Sequence, residues 1–251
     1  MRTVPFSEVL YSSLQLCGLD RNLTTADRFA TVRDFTSRRL QSIWETQDWP
    51  DQRRYVKCES VLTDNRRKVT FPNNFTGQVM AIWNKDPLAW SATEKDFTLY
   101  NSDVYLANDA ETTVWVEYRL DAPKLFGTHW KFATTYSLGA QCYYDSGAAD
   151  AVETGLVPKE GCPSVGNFYE YTGITALSGQ IPTIGPWQLV EIPRLFGSYL
   201  IHGCHADYLR SQGQMEEAKV AEGDAAQAFD EAVDQTLRQQ GQTRKINFRT
   251  Y

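Results

Sequence analysis

The hydrophobic pattern of this chain changes period twice, and that division constrains the fold more than any motif does. About the first fifty and the last sixty residues carry apolar side chains three and four positions apart, which is typical of amphipathic helices. The residues between, from Arg53 to Pro193, instead alternate in short runs parted by turns, as strands do. We therefore predict an α+β fold: a helical bundle built from the N- and C-terminal helices, with an inserted antiparallel β segment and a small aromatic β module.

Each terminal region predicts a pair of helices. The first helix covers residues 6–16, and a second, capped by Thr24 or Thr25, ends at Trp49-Pro50, because proline disfavours helical geometry in the residue before it. Near the C-terminus one helix begins after Ile192-Pro193, and a longer one of roughly 26 residues follows from residue 215. Five segments result. They are residues 1–52 (N-terminal helices), 53–126 (antiparallel β segment), 127–191 (aromatic β module), 192–241 (C-terminal helices) and 242–251 (an extended tail).

Composition excludes several classes of protein. A net charge of −6 and a pI near 5.2 argue against a protein that coats nucleic acid, which would carry a basic excess. No run of about 18 apolar residues predicts a membrane span, and the N-terminus lacks the apolar stretch of a signal peptide. The five cysteines are odd in number and scattered, which predicts free thiols in a reducing cytoplasm.

The residues that most enzymes require do not form a recognisable set. No phosphate-binding loop, nucleophile elbow or metalloprotease motif occurs, and no pair of carboxylates stands out from those on solvated faces. His202-Gly203-Cys204-His205 is the cluster most like a metal site, but a fourth ligand at suitable spacing is missing. We predict that these histidines pack between helices, and that the protein is not an enzyme and holds neither metal nor cofactor.

The aromatic module admits two interpretations. Trp130, Tyr144, Tyr169 and Trp187 have side chains that stack on sugar rings, so a carbohydrate contact is one hypothesis. The other is that such residues form the core of a module poor in aliphatic side chains, and we favour it, with Trp130 and Trp187 at the centre.

The C-terminal tail alternates basic or polar with apolar side chains, a pattern that suits an added edge strand. Contact with DNA is one interpretation, and docking on a partner protein is the favoured one. The docking residues would be Arg244, Lys245, Ile246, Phe248, Arg249 and Tyr251. We expect the tail to be disordered until its partner binds.

The residue pattern of the last sixty residues is similar to that of a known protein family. Its elements are Ile192-Pro193, Phe196, Tyr199-Leu200, Ala206-Asp207-Tyr208-Leu209, Gly213 and the alanines 218, 221, 225, 226 and 228. Together with the order of helices and strands, residues 1–125 and 190–251 resemble the head-to-tail connector (adaptor) proteins of tailed bacteriophages. Residues 129–191 are similar to small chitin-binding-type modules, through Trp130, Tyr136, Gly139, Phe168, Tyr169, Glu170, Tyr171 and Trp187.

The resemblance implies a structural virion protein of the neck, between capsid and tail, assembled in the host cytoplasm. It implies a homo-oligomeric ring of twelve copies beneath the portal protein, which extends the DNA channel and gives tail or neck proteins a platform. Double-stranded DNA would pass without specific binding, no membrane would be involved, and residues 244–251 would dock on the portal. The alternative is a carbohydrate-binding or host-contact virion protein that acts through residues 127–191.

Overall fold

The computed structural model describes residues 2–19, 25–47, 49–63, 66–71, 77–101, 103–107, 112–145 and 166–246, with side chains except at positions 51 and 239–246. The chain divides into two compact units. We call residues 48–121 the β unit, and residues 1–47 with 122–251 the mixed unit.

The β unit is a seven-stranded antiparallel sheet, counted over its described residues. Its strands are β1 (Arg53–Thr63), β2 (Arg66–Thr70), β3 (Gln78–Trp83), β4 (Glu94–Lys95), β5 (Phe97–Tyr100), β6 (Asp103–Leu106) and β7 (Thr113–Arg119). They lie in the order β4-β3-β7-β1-β2-β6-β5. The two outermost strands, β4 and β5, are separated in the chain by Asp96 alone, so the sheet curves until its edges adjoin and is barrel-like.

Period-two alternation builds the core of the β unit, because every second side chain of a strand faces the same side. The inward residues are Cys58, Val69, Ile82, Val104, Leu106, Val114 and Val116. Glu117 on β7 is also buried, and its carboxylate accepts hydrogen bonds from Arg53 (3.0 Å) and the indole of Trp83 (3.2 Å). These two donors satisfy a charge that would otherwise be costly to bury.

The mixed unit combines a four-stranded sheet with four helices, counted over its described residues. The helices are α1 (Phe6–Leu16), α2 (Ala26–Thr46), α3 (Gly197–Ser211) and α4 (Met215–Ile246), and the strands are β8 (Thr128–His129), β9 (Gln141–Asp145), β10 (Gly166–Tyr171) and β11 (Trp187–Leu189). The sheet order is β11-β10-β9-β8, with β8 parallel to β9 and the other pairs antiparallel. Helix α3 packs against α1, α2 and α4, and α1 also packs against β10.

Aromatic side chains join this sheet to the N-terminal helices. Phe6 of α1 meets Phe168 of β10 edge to face at 4.9 Å between ring centroids, and Phe29 of α2 lies 4.9 Å from Tyr143 of β9. The backbone N–H of Phe6 donates to the side-chain oxygen of Asn167 at 3.0 Å. The four-stranded sheet and the N-terminal helices therefore share one core.

The predicted fold class is wrong. The protein is a mostly β structure with a barrel-like seven-stranded sheet and, in its described part, four helices, and it is not a helical bundle with an inserted β segment. The seven strands form a compact unit of their own, and the four-stranded sheet of the mixed unit shares its core with α1 and α2. Periodicity failed here because it assigns each element a buried face but does not say which faces meet. The five-part division of the chain stays a prediction.

The end of α4 also differs from expectation. The predicted extended tail begins at residue 242, but α4 is helical through Ile246. Gly241 costs a helix only about 1 kcal/mol relative to alanine, and no proline follows to stop it. The helix is 32 residues long, which corresponds to about 48 Å.

Candidate functional site

The predicted docking tail lies mostly beyond what the structure describes. Arg244, Lys245 and Ile246 are in the last turn of α4, where the backbone alone is described. Phe248, Arg249 and Tyr251 lie outside the described residues. The assignment of these six residues to the portal stays a prediction.

Two of the four candidate sugar-contact residues, Trp130 and Trp187, pack against the four-stranded sheet of the mixed unit. Trp130 is 2% exposed and belongs to a cluster with Tyr136 and Tyr171. The Trp187 ring lies edge to face 5.0 Å from the rings of both tyrosines, and its indole N–H donates to the carbonyl oxygen of Gln180 at 3.1 Å. Trp130 is therefore buried and Trp187 is partly buried and held by these contacts, and a sugar contact at either residue stays a prediction.

The other two candidates, Tyr144 and Tyr169, are half-buried neighbours on β9 and β10. Their ring centroids are 6.4 Å apart with the rings edge to face, and Tyr144 packs against Trp130 in the same way at 5.5 Å. Burial raises the pKa of both phenols. Tyr144, Tyr169 and Trp187 lie on three strands of the same sheet and Trp130 directly follows β8, so the structure brings the four candidates together as packing partners.

In the histidine and cysteine cluster on α3, the cysteine is buried, whereas the two histidines are only partly buried. Cys204 is buried with its sulfur 3.2 Å from the Thr36 hydroxyl, and burial raises the pKa of its thiol to about 12. Burial, and then the neighbouring His202, lower the pKa of His205. No group of three or more His, Cys, Asp or Glu in the described part of the chain is arranged to hold a metal ion.

A charged cluster that the sequence did not single out joins α2, α3 and α4. The guanidinium of Arg39 donates two hydrogen bonds to Asp207 (2.9 and 2.8 Å) and two to Glu222 (both 2.7 Å). Arg210 bonds the same two carboxylates at 2.8 Å each. The hydrogen bonds from Arg39 are the main reason that the pKa of Glu222 falls to about 2. Because both carboxylates are saturated by guanidinium groups, the cluster fixes helices and does not offer a reactive acid.

Helix α4 has two sharply different sides. A stripe of small residues is buried at helical spacing: Ala218, Ala221, Ala225, Ala228 and Ala232. Away from it, six carboxylates are exposed: Glu216, Glu217, Asp224, Asp230, Glu231 and Asp234. Among the described side chains of α4, the exposed cations are Lys219 and Arg238. The result is a long helix with a tightly packed side and an acidic side.

The β unit exposes large apolar side chains that the sequence did not indicate as functional. The turn between β3 and β4 presents Leu88, 88% exposed, and Trp90, fully exposed. On β5, Leu99 and Tyr100 are 57% and 62% exposed. The available signal was Asp86-Pro87, a turn-forming pair followed directly by large apolar residues where polar ones are usual.

The turn that carries Leu88 and Trp90 is held by its own hydrogen bonds. Asn84 and Thr93 close its base, with N–H groups that donate across it at 3.1 and 2.8 Å. At its tip, Asp86 accepts from the N–H of Leu88 through its side chain at 2.9 Å and from the N–H of Ala89 through its carbonyl at 2.8 Å. These hydrogen bonds define the backbone of the turn, from which the two exposed apolar side chains project.

No protein-family model matches this chain, and no curated protein matches it. In the part of the chain that the structure describes, no helix is both long and apolar enough to cross a membrane.

Proposed function

We propose that this protein is a head-to-tail connector (adaptor) of a tailed bacteriophage, a virion protein that forms a ring beneath the portal. Copies of the chain would extend the DNA channel and give tail or neck proteins a platform. The observation that carries the proposal is the two-sided helix α4, with alanines on its packed side and six carboxylates on its exposed side.

An acidic wall suits a channel through which DNA must slide. Tight binding to DNA comes from Lys and Arg side chains that neutralise phosphates and release counterions. Carboxylates at the same surface repel phosphates within a screening distance of about 8 Å at physiological salt. A ring whose inner wall carried the acidic side of α4 would therefore guide DNA without holding it.

Such a wall must also be rigid, and the packing of α4 provides for this. Small side chains on its buried stripe let it approach α3 closely, and the Arg39 cluster joins it to both α2 and α3. An ion pair held by bidentate geometry fixes orientation as well as distance.

The basic end of the chain supplies the second part of the proposal. Residues 244–251 follow the acidic side of α4 and carry Arg244, Lys245 and Arg249 with two large apolar residues, Ile246 and Phe248. That composition suits docking on the portal, with apolar anchors in pockets and cations at an acidic rim. The twelve-fold ring and the position in the neck follow from the family resemblance and belong to the same proposal.

The test is attachment to portal-bearing capsids that lack this protein. We expect the purified chain to attach at the portal vertex and restore joining of tails. A variant with Asp230→Lys, Glu231→Lys and Asp234→Lys should still attach, but DNA ejection should be slowed and made dependent on salt, because cations now face the phosphates. Failure of the unaltered chain to attach would contradict the proposal, as would normal ejection at low salt by an attached variant.

A further inference from the structure

We propose that three loops at one end of the four-stranded sheet form a contact with the surface of a lipid bilayer. The loops carry Leu138, Ile174 and Ile184, which we call the apolar tips. The tips would enter the outer part of one leaflet and leave the rest of the chain in water. The inference goes beyond the proposed function and does not depend on it. It differs from the expectation, drawn from the family resemblance, that no membrane is involved.

The topology of the sheet places the three apolar tips side by side. Strands β11, β10 and β9 are neighbours and run antiparallel, so the start of β9, the end of β10 and the start of β11 lie at the same end of the sheet. Leu138 comes three residues before β9, Ile174 three residues after β10, and Ile184 three residues before β11. Neighbouring strands are about 4.8 Å apart, so the tips extend from an end of the sheet about 10 Å wide.

The apolar tips are among the most exposed large apolar residues that the structure describes. Ile174 is 97% exposed, Ile184 82% and Leu138 67%. Such side chains are usually buried, and three of them adjoin at this one end of the sheet.

The loops that carry the apolar tips are also without charge. Residues 132–144 and 171–187 include all three tips and contain no Asp, Glu, Lys or Arg. The exposed Leu88 of the β unit, by contrast, lies two residues after Asp86. A charge is costly to bring into hydrocarbon, so an uncharged surface suits a bilayer. Charged groups at a protein interface set its register, and these loops offer none to a protein partner.

Backbone hydrogen bonds continue the pairing of the strands up to the base of the apolar tips. The N–H of Gly139 donates to the carbonyl oxygen of Tyr171 at 2.9 Å, and the N–H of Thr172 donates to that of Pro186 at 2.8 Å. Unpaired N–H and C=O groups are costly where no water is available. These bonds therefore lower the cost of bringing the loops to the surface of a leaflet.

Three apolar tips are enough for a reversible contact with a bilayer. A fluid bilayer has no fixed shape to match, so the contact does not need the roughly 800 Å² per partner that a protein interface buries. The three side chains hold about twelve carbons together, close to a myristoyl chain, whose binding constant is on the order of 10⁴ M⁻¹. We therefore expect half of the chain to be bound at lipid concentrations on the order of 1 mM or below.

Flotation of the full-length chain with phosphatidylcholine vesicles tests the inference. We expect binding that does not increase when anionic phosphatidylglycerol is added and does not fall at high salt, because the contact is apolar and the chain has a net charge of −6. Absence of flotation at about tenfold more lipid would overturn the inference. Flotation that requires the anionic lipid would also overturn it.

A phosphatidylcholine with a diazirine on its acyl chain locates the contact. We expect crosslinks in the tryptic peptides 132–159 and 160–194, localised by fragmentation to the three apolar tips. Crosslinks confined to the β unit or to α4 would overturn the inference.

Variants give an independent readout with a matched control. Ile174→Ser with Ile184→Ser should lower vesicle binding at least tenfold without a change in circular dichroism, because both substitutions remove apolar area. Leu88→Ser, which alters a comparably exposed residue of the β unit, should have no effect. Ile174→Trp should strengthen binding, since tryptophan favours the membrane interface, and misfolding does not produce that result.

Equal vesicle binding by the double serine variant, or weaker binding by Ile174→Trp, would refute the contact. Sedimentation without lipid tests a second copy as the occupant. We expect the same oligomeric state for the unaltered chain and the double variant, and oligomers that only the unaltered chain forms would show that the loops join copies and would overturn the inference.

Discussion

Replacing Arg39 with methionine tests whether the charged cluster holds α2, α3 and α4 together. The side chain of Arg39 is 12% exposed, and those of Asp207 and Glu222 are 18% and 38% exposed, so the cluster is partly shielded from water. The substitution removes four hydrogen bonds between charged groups but keeps the apolar stem that packs beneath them.

The expected cost follows from what remains. Breaking a buried ion pair by removing one partner costs about 3–5 kcal/mol, because the other charge is left buried and unpaired. Here Arg210 continues to bond both carboxylates, and Glu222 is already partly solvated. We therefore expect Arg39→Met to lower the free energy of unfolding by about 2–4 kcal/mol.

Urea denaturation at pH 7 measures this loss, and Lys219→Met is the matched control. Lys219 pairs with Glu216 on the exposed side of α4, with both side chains well exposed, so its loss should cost less than about 0.5 kcal/mol. Equal effects of the two substitutions would refute the argument that the Arg39 cluster fixes the helices.

The same cluster predicts a dependence on pH. The folded protein holds the pKa of Glu222 at about 2, against 4.5 for the free side chain. A lowered pKa contributes stability that is fully present above pH 4.5 and is lost as the pH falls towards 2. Arg39→Met should therefore flatten the fall in stability between these two pH values, and an unchanged slope would show that other groups cause it.

Three further predictions concern packing and attachment. Ala225→Leu, in the buried stripe of α4, should destabilise the protein by about 1–3 kcal/mol in urea denaturation, whereas the same change at the exposed Ala226 should be nearly neutral. Similar urea midpoints for the two variants would refute the assignment of the packed side of α4. Gly166→Ala should lower the melting temperature, since a Cβ at this position meets the ring and hydroxyl of Tyr143. Gly223→Ala is the control: its position has open space around it, so the substitution should raise stability by about 0.5–1 kcal/mol. Calorimetry measures both changes, and the reverse order would contradict the close approach of β9 to β10 at Gly166. Removal of residues 243–251 should leave the melting temperature unchanged and abolish attachment to portal-bearing capsids, and normal attachment would show that another surface makes the joint.

Much of the local structure could be predicted from the sequence. Helix α1 spans Phe6–Leu16, the range that its pattern predicts, and the Thr25 hydroxyl caps α2 by accepting from the N–H of Arg28 at 3.3 Å. Caps, prolines and apolar spacing act over a few residues, so a single sequence records them directly.

The long-range contacts could not be predicted in the same way. Phe6 bonds to and packs on residues more than 160 positions away, and Arg39 meets partners 168 and 183 positions away. Those pairings depend on the closure of sheets and on which helix faces meet, and no local pattern encodes them. The exposure of Trp90 could not be predicted for a related reason. Whether an apolar residue in a turn is buried or exposed depends on where the surrounding strands lie.

Electron cryo-microscopy of the assembled particle shows directly where this chain lies. We expect a ring of density for this chain immediately below the portal, with the acidic side of α4 towards the channel. Density for the chain at the outer surface of the particle, or α4 turned away from DNA, would contradict this expectation.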